Sequence, residues 1–253
     1  MSKIVSIHSF RGGTGKSNST ANIAAIVARH GYRVGIVDTD IQSPGIHVLF
    51  GFNEKNIDYS LNDYLWGRCK IEDTAYDVTT VLQDKAKANS KIYLIPSSIK
   101  AGDIAKILRE GFEFELLSNG FYDLSEALEL DYLFIDTHPG LNEETLLSLT
   151  ISDTLLIILR PDRQDFQGTA VTVEVARKLG VPELFLLVNK ALQNFDFEAL
   201  KQEVERTYKA PAVGILPHSE EMMQLQSSGI FSLRYPNHSL TRVMETVAQQ
   251  IIG

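Results

Sequence analysis

The chain has 253 residues, 44% of them hydrophobic and 22% charged, with a formal net charge of −8. That length suits one large α/β domain with a sizeable core and is short for two, and the composition excludes collagen-like, low-complexity and disordered chains. The negative balance argues against adventitious nucleic-acid binding by the molecule as a whole, and the one cysteine, Cys69, excludes an internal disulfide or a multi-cysteine metal site.

No apolar run reaches the ~18 residues of a membrane span. The N-terminus from Met1 to Ile7 is too short for a signal peptide and reads as a buried strand, so the expected location is cytoplasmic. Short β-branched or Leu-rich runs predict strands at Ile4–His8, Val34–Asp38, Lys91–Ile95, Tyr132–Asp136, Thr154–Leu159, Leu184–Asn189 and Val213–Leu216. Helical periodicity predicts Lys16–His30, Glu115–Glu129, Glu143–Ile151, Gln167–Leu179, Phe197–Tyr208 and Leu240–Ile252. Gly31 and Gly180 fit helix C-caps. This alternation predicts an α/β fold, a doubly wound and mostly parallel sheet with helices on both faces, in a single domain over 1–253. Segment 51–90 is weakly periodic and reads as an excursion within that domain. Its Leu61, Tyr64 and Leu65, with Trp66 adjoining, read as core.

The first strand leads into Ser9-Phe10-Arg11-Gly12-Gly13-Thr14-Gly15-Lys16-Ser17, and a helix follows directly. Strand, glycine-rich loop and helix N-terminus, in that order, are the context of a P-loop. Glycines let the backbone curl its N–H groups toward phosphate oxygens, and the helix dipole adds positive potential there. Lys16 is expected on the β- and γ-phosphates and Ser17 on Mg²⁺. The ordinary Walker A pattern has its first glycine where Phe10 stands.

Three further segments carry chemistry. Val34–Val37 runs into Asp38-Thr39-Asp40, two carboxylates at the carboxyl end of a strand beside the P-loop strand, where ligands of open α/β sheets bind. Tyr132–Ile135 runs into Asp136-Thr137-His138-Pro139-Gly140, a Walker B strand with Asp136 on the Mg²⁺ shell and a loop that can take two shapes. Phosphoryl transfer leaves little covalent chemistry to the protein, which argues against His138 as a catalytic base. Leu184–Val188 ends in Asn189-Lys190-Ala191-Leu192, which lacks the N-K-x-D of guanine readers and favours ATP over GTP.

With Arg11 ahead of Gly12-Gly13-Thr14-Gly15-Lys16-Ser17, the chain resembles the ParA/MinD family of deviant Walker A ATPases, whose pattern is K-G-G-x-G-K-[ST]. Asp38-Thr39-Asp40 and Asp136–Gly140 resemble its two switches. The matched segments run from residue 3 to residue 217. The chain departs from the pattern in having Arg11 where the family has its signature lysine. Either Arg11 keeps that role, or another basic residue does and Arg11 only packs at the loop entrance.

The resemblance implies a P-loop NTPase fold, ATP and Mg²⁺ as cofactors, and hydrolysis that is slow without a partner. Arg11, Lys16 and Asp40 are then the catalytic residues, with Asp40 on the attacking water. Gly12, Gly13, Thr14, Gly15, Lys16, Ser17 and Asn18 hold phosphates, Asn189 and Pro217 hold adenine, and Ser17, Asp38 and Asp136 hold the metal. The implied partners are a second copy in an ATP-dependent sandwich, an adaptor protein that stimulates hydrolysis, and non-specific DNA, with nucleoid association. The cations available for DNA are Lys201, Arg206, Lys209, Arg234 and Arg242, diluted by Glu198, Glu203 and Glu205. A membrane target is disfavoured, because the last helix carries only Arg242 and Glu245 as charges opposite its apolar face. The cargoes of this family include plasmids, chromosomes, division sites and carboxysomes. The rival readings are a membrane-associated, MinD-like spatial regulator and an ATP-dependent metabolic ligase on the same scaffold.

Overall fold

The computed structural model describes residues 2–253, so Met1 of the N-terminal reading lies outside the described residues. The strands are β1 Lys3–His8, β2 Arg33–Asp38, β3 Tyr76–Asp77, β4 Lys91–Ile95, β5 Tyr132–Asp136, β6 Thr154–Leu159, β7 Glu183–Ala191 and β8 Ala212–Pro217. Seven of these are the strands expected from sequence. Strand β3 is the addition, since two residues are too few to show a period.

The strands form one sheet in the order β3-β4-β2-β5-β1-β6-β7-β8. Every pairing is parallel except β3 with β4. The P-loop strand β1 is therefore central, and the carboxyl ends of β1, β2, β5 and β7 share one edge.

Side chains alternate across each strand, and both faces are apolar. Tyr132 and Phe134 of β5 pack with Val5, Ile7, Val34 and Ile36 beneath α1 (Lys16–Arg29) and the C-terminal helix Ser239–Ile252. Leu133 and Ile135 face the other way, with Val37, Ile95 and residues of helix Phe114–Ala127. Beyond β1, Leu155, Ile157 and Leu159 pack with residues of helices Arg163–Lys178 and Phe197–Tyr208.

Helix α1 is buried along nearly its whole length, from Ser19 through Ala28. Gly31 follows it at φ +104°, a conformation that glycine adopts without strain. Helix Ala101–Glu110 is not in the sequence reading. Ile104, Ile107 and Leu108 stand at helical spacing on it, but only Ile107 is buried, and Lys100 at its start gives no side-chain cap.

The excursion packs onto the same body. Leu61 is fully buried and Tyr64 and Leu65 nearly so, and the Tyr64 hydroxyl donates to the Leu116 carbonyl at 2.9 Å. This is the core role expected of that stripe. Trp66 lies between the Arg68 guanidinium and the Lys106 ammonium, 4.5 and 4.3 Å from its ring centroid. The last helix buries Leu240, Met244, Val247, Ala248 and Ile251, which confirms that its apolar face docks on the core. Among the described residues, no helix is long and apolar enough to cross a membrane.

Candidate functional site

The loop between β1 and α1 is built on two left-handed glycines, Gly13 at φ +75° and Gly15 at φ +97°. Gly15 is the N-cap of α1. No side chain caps this end, and no acidic residue stands in its first turn. The first amides of the helix and its dipole are thus left for an anion. Gly15 has no room for a Cβ, which would run into the Asn189 amide. Phe10 packs against Gly168, where a Cβ would collide with its ring. The residue that replaces the first Walker glycine therefore anchors the loop to helix Arg163–Lys178.

Lys16 is nearly buried, its Nζ 3.7 Å from Asp40 Oδ2 and 3.9 Å from Asp136 Oδ1. Asp38 and Asp136 are paired in register at the ends of β2 and β5, and both are fully buried. Asp38 Oδ1 accepts the Asp40 N–H at 3.0 Å and its Oδ2 accepts the Gly45 N–H at 3.2 Å. Asp136 Oδ1 accepts the Thr20 hydroxyl at 3.2 Å, while its Oδ2 is buried with no partner. Burial pushes the Asp38 carboxyl well above the ordinary carboxylate range, and Asp136 and Asp40 push it further. Burial also raises Asp136, against the opposing pull of Lys16 and the Ser17 hydroxyl.

One ammonium thus stands among three carboxylates, one of which has a bare, desolvated oxygen. That donor set fits a divalent cation. Among the described residues, no group of three or more His, Cys, Asp or Glu is arranged to hold a metal alone. Two or so protein oxygens completed by phosphate and water is the usual way Mg²⁺ is bound beside a nucleotide.

His8 ends β1 under this cluster. Its Nδ1 bonds Thr137 Oγ1 at 2.8 Å, and that hydroxyl donates in turn to the Ile7 carbonyl at 3.0 Å. The ring nitrogen is therefore the donor. Burial, then Lys16 and His138, lowers the His8 pKa from its ordinary value of 6.5 to about 3. A depressed folded-state pKa gives stability that is present above 6.5 and lost as pH falls toward 3. Relative to His8→Gln, the wild type is expected to lose stability below pH 6.5 with a slope approaching about 1.4 kcal/mol per pH unit. Urea unfolding of both proteins between pH 7 and pH 5 measures this, and parallel curves would contradict it.

Behind the loop, Gly15, Asn18, Asn189, Pro217, Met222 and Met244 help line a cavity of about 320 Å³. Four of the residues expected to hold the nucleotide, Gly15, Asn18, Asn189 and Pro217, thus meet in one place. Asn189 is more than a turn residue: its Nδ2 donates to the Thr14 carbonyl at 2.7 Å. Lys190, in the left-handed region at φ +57°, donates from Nζ to the Gly13 carbonyl at 2.8 Å. Together they tie the end of β7 to the loop. The sequence reading took Lys190 only as the partner of Asn189, and no local pattern marked its reach to the loop.

Arg11 lies beside its own chain's acids. Its Nη1 is 3.5 Å from Asp165 Oδ1 and 3.7 Å from Asp162 Oδ1, at the start of helix Arg163–Lys178. Asp165 is buried and shared with Arg160, whose Nε stands 3.0 Å from Oδ2. Such long contacts on a part-exposed arginine hold it weakly. His138, read as incidental, in fact reaches Asp40: its Nδ1 lies 2.8 Å from Asp40 Oδ1.

A parallel sheet, a left-handed glycine loop on an uncapped helix, and a buried lysine between strand-end carboxylates define a nucleotide site of the P-loop class. Residues 2–181 match the family described as AAA domain, and the chain belongs to that family, as an ATPase of the ParA/MinD type. It is 24% identical over 254 residues to an uncharacterised ATP-binding protein of Methanocaldococcus jannaschii, covering 100% of this chain and 89% of that one. The cell division ATPase MinD of Pyrococcus furiosus superposes with a TM-score of 0.83 at 20% identity, covering 100% of this chain and 99% of the other. The septum site-determining protein MinD of Pyrococcus horikoshii, complexed with Mg-ADP, gives 0.81 at 19% identity over 99% of this chain and 96% of the other.

Proposed function

We propose that the chain is an ATP-dependent switch that dimerises and positions a cellular cargo. The observation that carries this reading is the placing of Lys16 between Asp40 and Asp136, one carboxylate from each switch loop. A lysine drawn to phosphate oxygens leaves both, so the presence or loss of the terminal phosphate is felt in both loops at once.

In this reading Gly12 to Asn18 cradle the phosphates, while Asn189 and Pro217 border the adenine in the cavity behind the loop. Ser17, Asp136 through its free Oδ2, and Asp38, whose oxygens are occupied by backbone amides, would hold Mg²⁺. When bound, Mg²⁺ neutralises charge on the phosphate oxygens and orients them. Asp40 orients the attacking water. Arg11 swings from Asp162 and Asp165 to the nucleotide of a second copy, where its planar fork suits phosphate oxygens. Hydrolysis is slow until an adaptor protein completes the arrangement.

Non-specific DNA is the surface on which the dimer works. Arg206, Lys209, Arg234 and Arg242 are exposed, and among the described residues none of them is in an ion pair. Two weak patches act together in a dimer, with strong salt dependence. The buried apolar face of the last helix supports DNA over a membrane.

Light scattering with ADP, ATP and a non-hydrolysable analogue tests the reading. The mass is expected to double with ATP or the analogue and stay monomeric with ADP, and Arg11→Ala is expected to bind ATP while losing stimulated turnover. A chain that binds ATP and remains monomeric in every condition contradicts it.

A further inference from the structure

The two oxygens of Asp40 have different neighbours. Oδ2 faces Lys16 Nζ at 3.7 Å. Oδ1 accepts two bonds, from the Ser43 N–H at 3.2 Å and from His138 Nδ1 at 2.8 Å. A carboxylate offers only acceptors, so Nδ1 carries the proton. Ser43 follows Asp40 on the first loop, whereas His138 follows Asp136 on the second. The second loop is itself held: the His138 carbonyl accepts the Thr145 hydroxyl at 3.2 Å, and the Gly140 N–H donates to the Ser9 carbonyl at 3.0 Å. The side chains of His138 and Asp40 are 19% and 11% exposed, so packing limits both and the bond is formed largely away from water.

We propose that His138 is a positioning residue for ATP hydrolysis, holding Asp40 by one oxygen so that the other stays turned toward the P-loop lysine. This rests on the reading of the site as a hydrolysing one. A lone carboxylate can rotate about its Cβ–Cγ bond and exchange its oxygens. With Oδ1 pinned by a donor from each loop, Oδ2 alone is presented to the cleft. Once Lys16 is drawn to phosphate, Oδ2 is left with an open acceptor position for the proton of an attacking water. Because one donor belongs to each loop, the arrangement is complete only when both loops are in place. His138 thus acts through Asp40, with its Nδ1 proton committed to that bond, which differs from a histidine that takes the water's proton itself.

The test compares His138→Leu, which removes the donor, with His138→Asn, whose amide N–H can stand near the place of Nδ1. Mg·ATP hydrolysis and ATP binding are measured for both, in the wild-type and Asp40→Ala backgrounds. His138→Leu is expected to lower kcat by about 10- to 100-fold, the cost of a misplaced catalytic group, with nucleotide Kd within about twofold. His138→Asn is expected to recover most of the rate. In the Asp40→Ala background, His138→Leu is expected to cost nothing further.

Equal losses in the Leu and Asn variants would overturn the proposal, as would a further drop without Asp40 or a loss of binding in step with kcat. A His138→Leu chain as fast as a wild type that does hydrolyse ATP overturns the positioning role alone. A wild type that binds ATP and never hydrolyses it, with adaptor and DNA supplied, removes the underlying reading and the proposal with it.

Discussion

Lys16→Ala is expected to abolish nucleotide retention while leaving the chain folded. Lys16 is the one lysine or arginine within 4 Å of Asp40 and Asp136 among the described residues, and burial already disfavours charge on Asp136 and Asp38. Removing one member of a buried ionic group costs about 3–5 kcal/mol when the others stay charged. Without nucleotide, the raised carboxyls can take up protons, which softens the effect on stability. With nucleotide, the triphosphate brings more negative charge to a site that has lost its cation. ATP affinity should therefore fall by roughly 150- to 4,000-fold, the same energy read as binding. Calorimetric titration with Mg·ATP measures this, and a thermal melt verifies the fold. Wild-type affinity in Lys16→Ala would exclude the lysine from the phosphate site.

Gly15→Ala is the second large effect. Two costs fall on one methyl group. The residue sits at φ +97°, where an L side chain is strained by about 1–2 kcal/mol. The added Cβ also meets the Asn189 amide, whose bond to the Thr14 carbonyl holds the loop to β7. ATP affinity is expected to fall about 10- to 100-fold, since the loop amides lose their curl. The two costs are separable. Asn189→Ala in the Gly15→Ala background removes the collision and leaves the backbone strain, so the double variant should melt higher than Gly15→Ala alone. A double variant no more stable than the single one would show that the collision contributes nothing.

The strands were legible because each is short, apolar and flanked by loop residues, and their order in sequence implied parallel pairing. Asp38 and Asp136 were legible because each ends such a strand, and the P-loop and Asp40 because each comes just after one. Asn189 and Pro217 were assigned only by resemblance, and the cavity they share with Asn18 lends that placement physical content.

What sequence could not give is contact between residues far apart in the chain. The His138–Asp40 bond spans 98 residues, and no local pattern distinguishes it from a histidine in an ordinary loop. The same holds for Arg11, whose acids lie more than 150 residues away, and for Phe10, seated on Gly168. Strand β3 was missed because two residues are too few to show a period, and helix Ala101–Glu110 because, although Ile104, Ile107 and Leu108 stand at helical spacing, no side chain caps its start.

Calorimetric titration of the purified wild-type chain with ATP, in Mg²⁺ and again in chelator, bears most directly on the phosphate cradle. The expected result is one adenine nucleotide per chain, bound more tightly with the metal and not displaced by GTP. Failure to bind any adenine nucleotide with Mg²⁺ present would contradict the assignment of Gly12 through Ser17, and with it every role given to the residues around them.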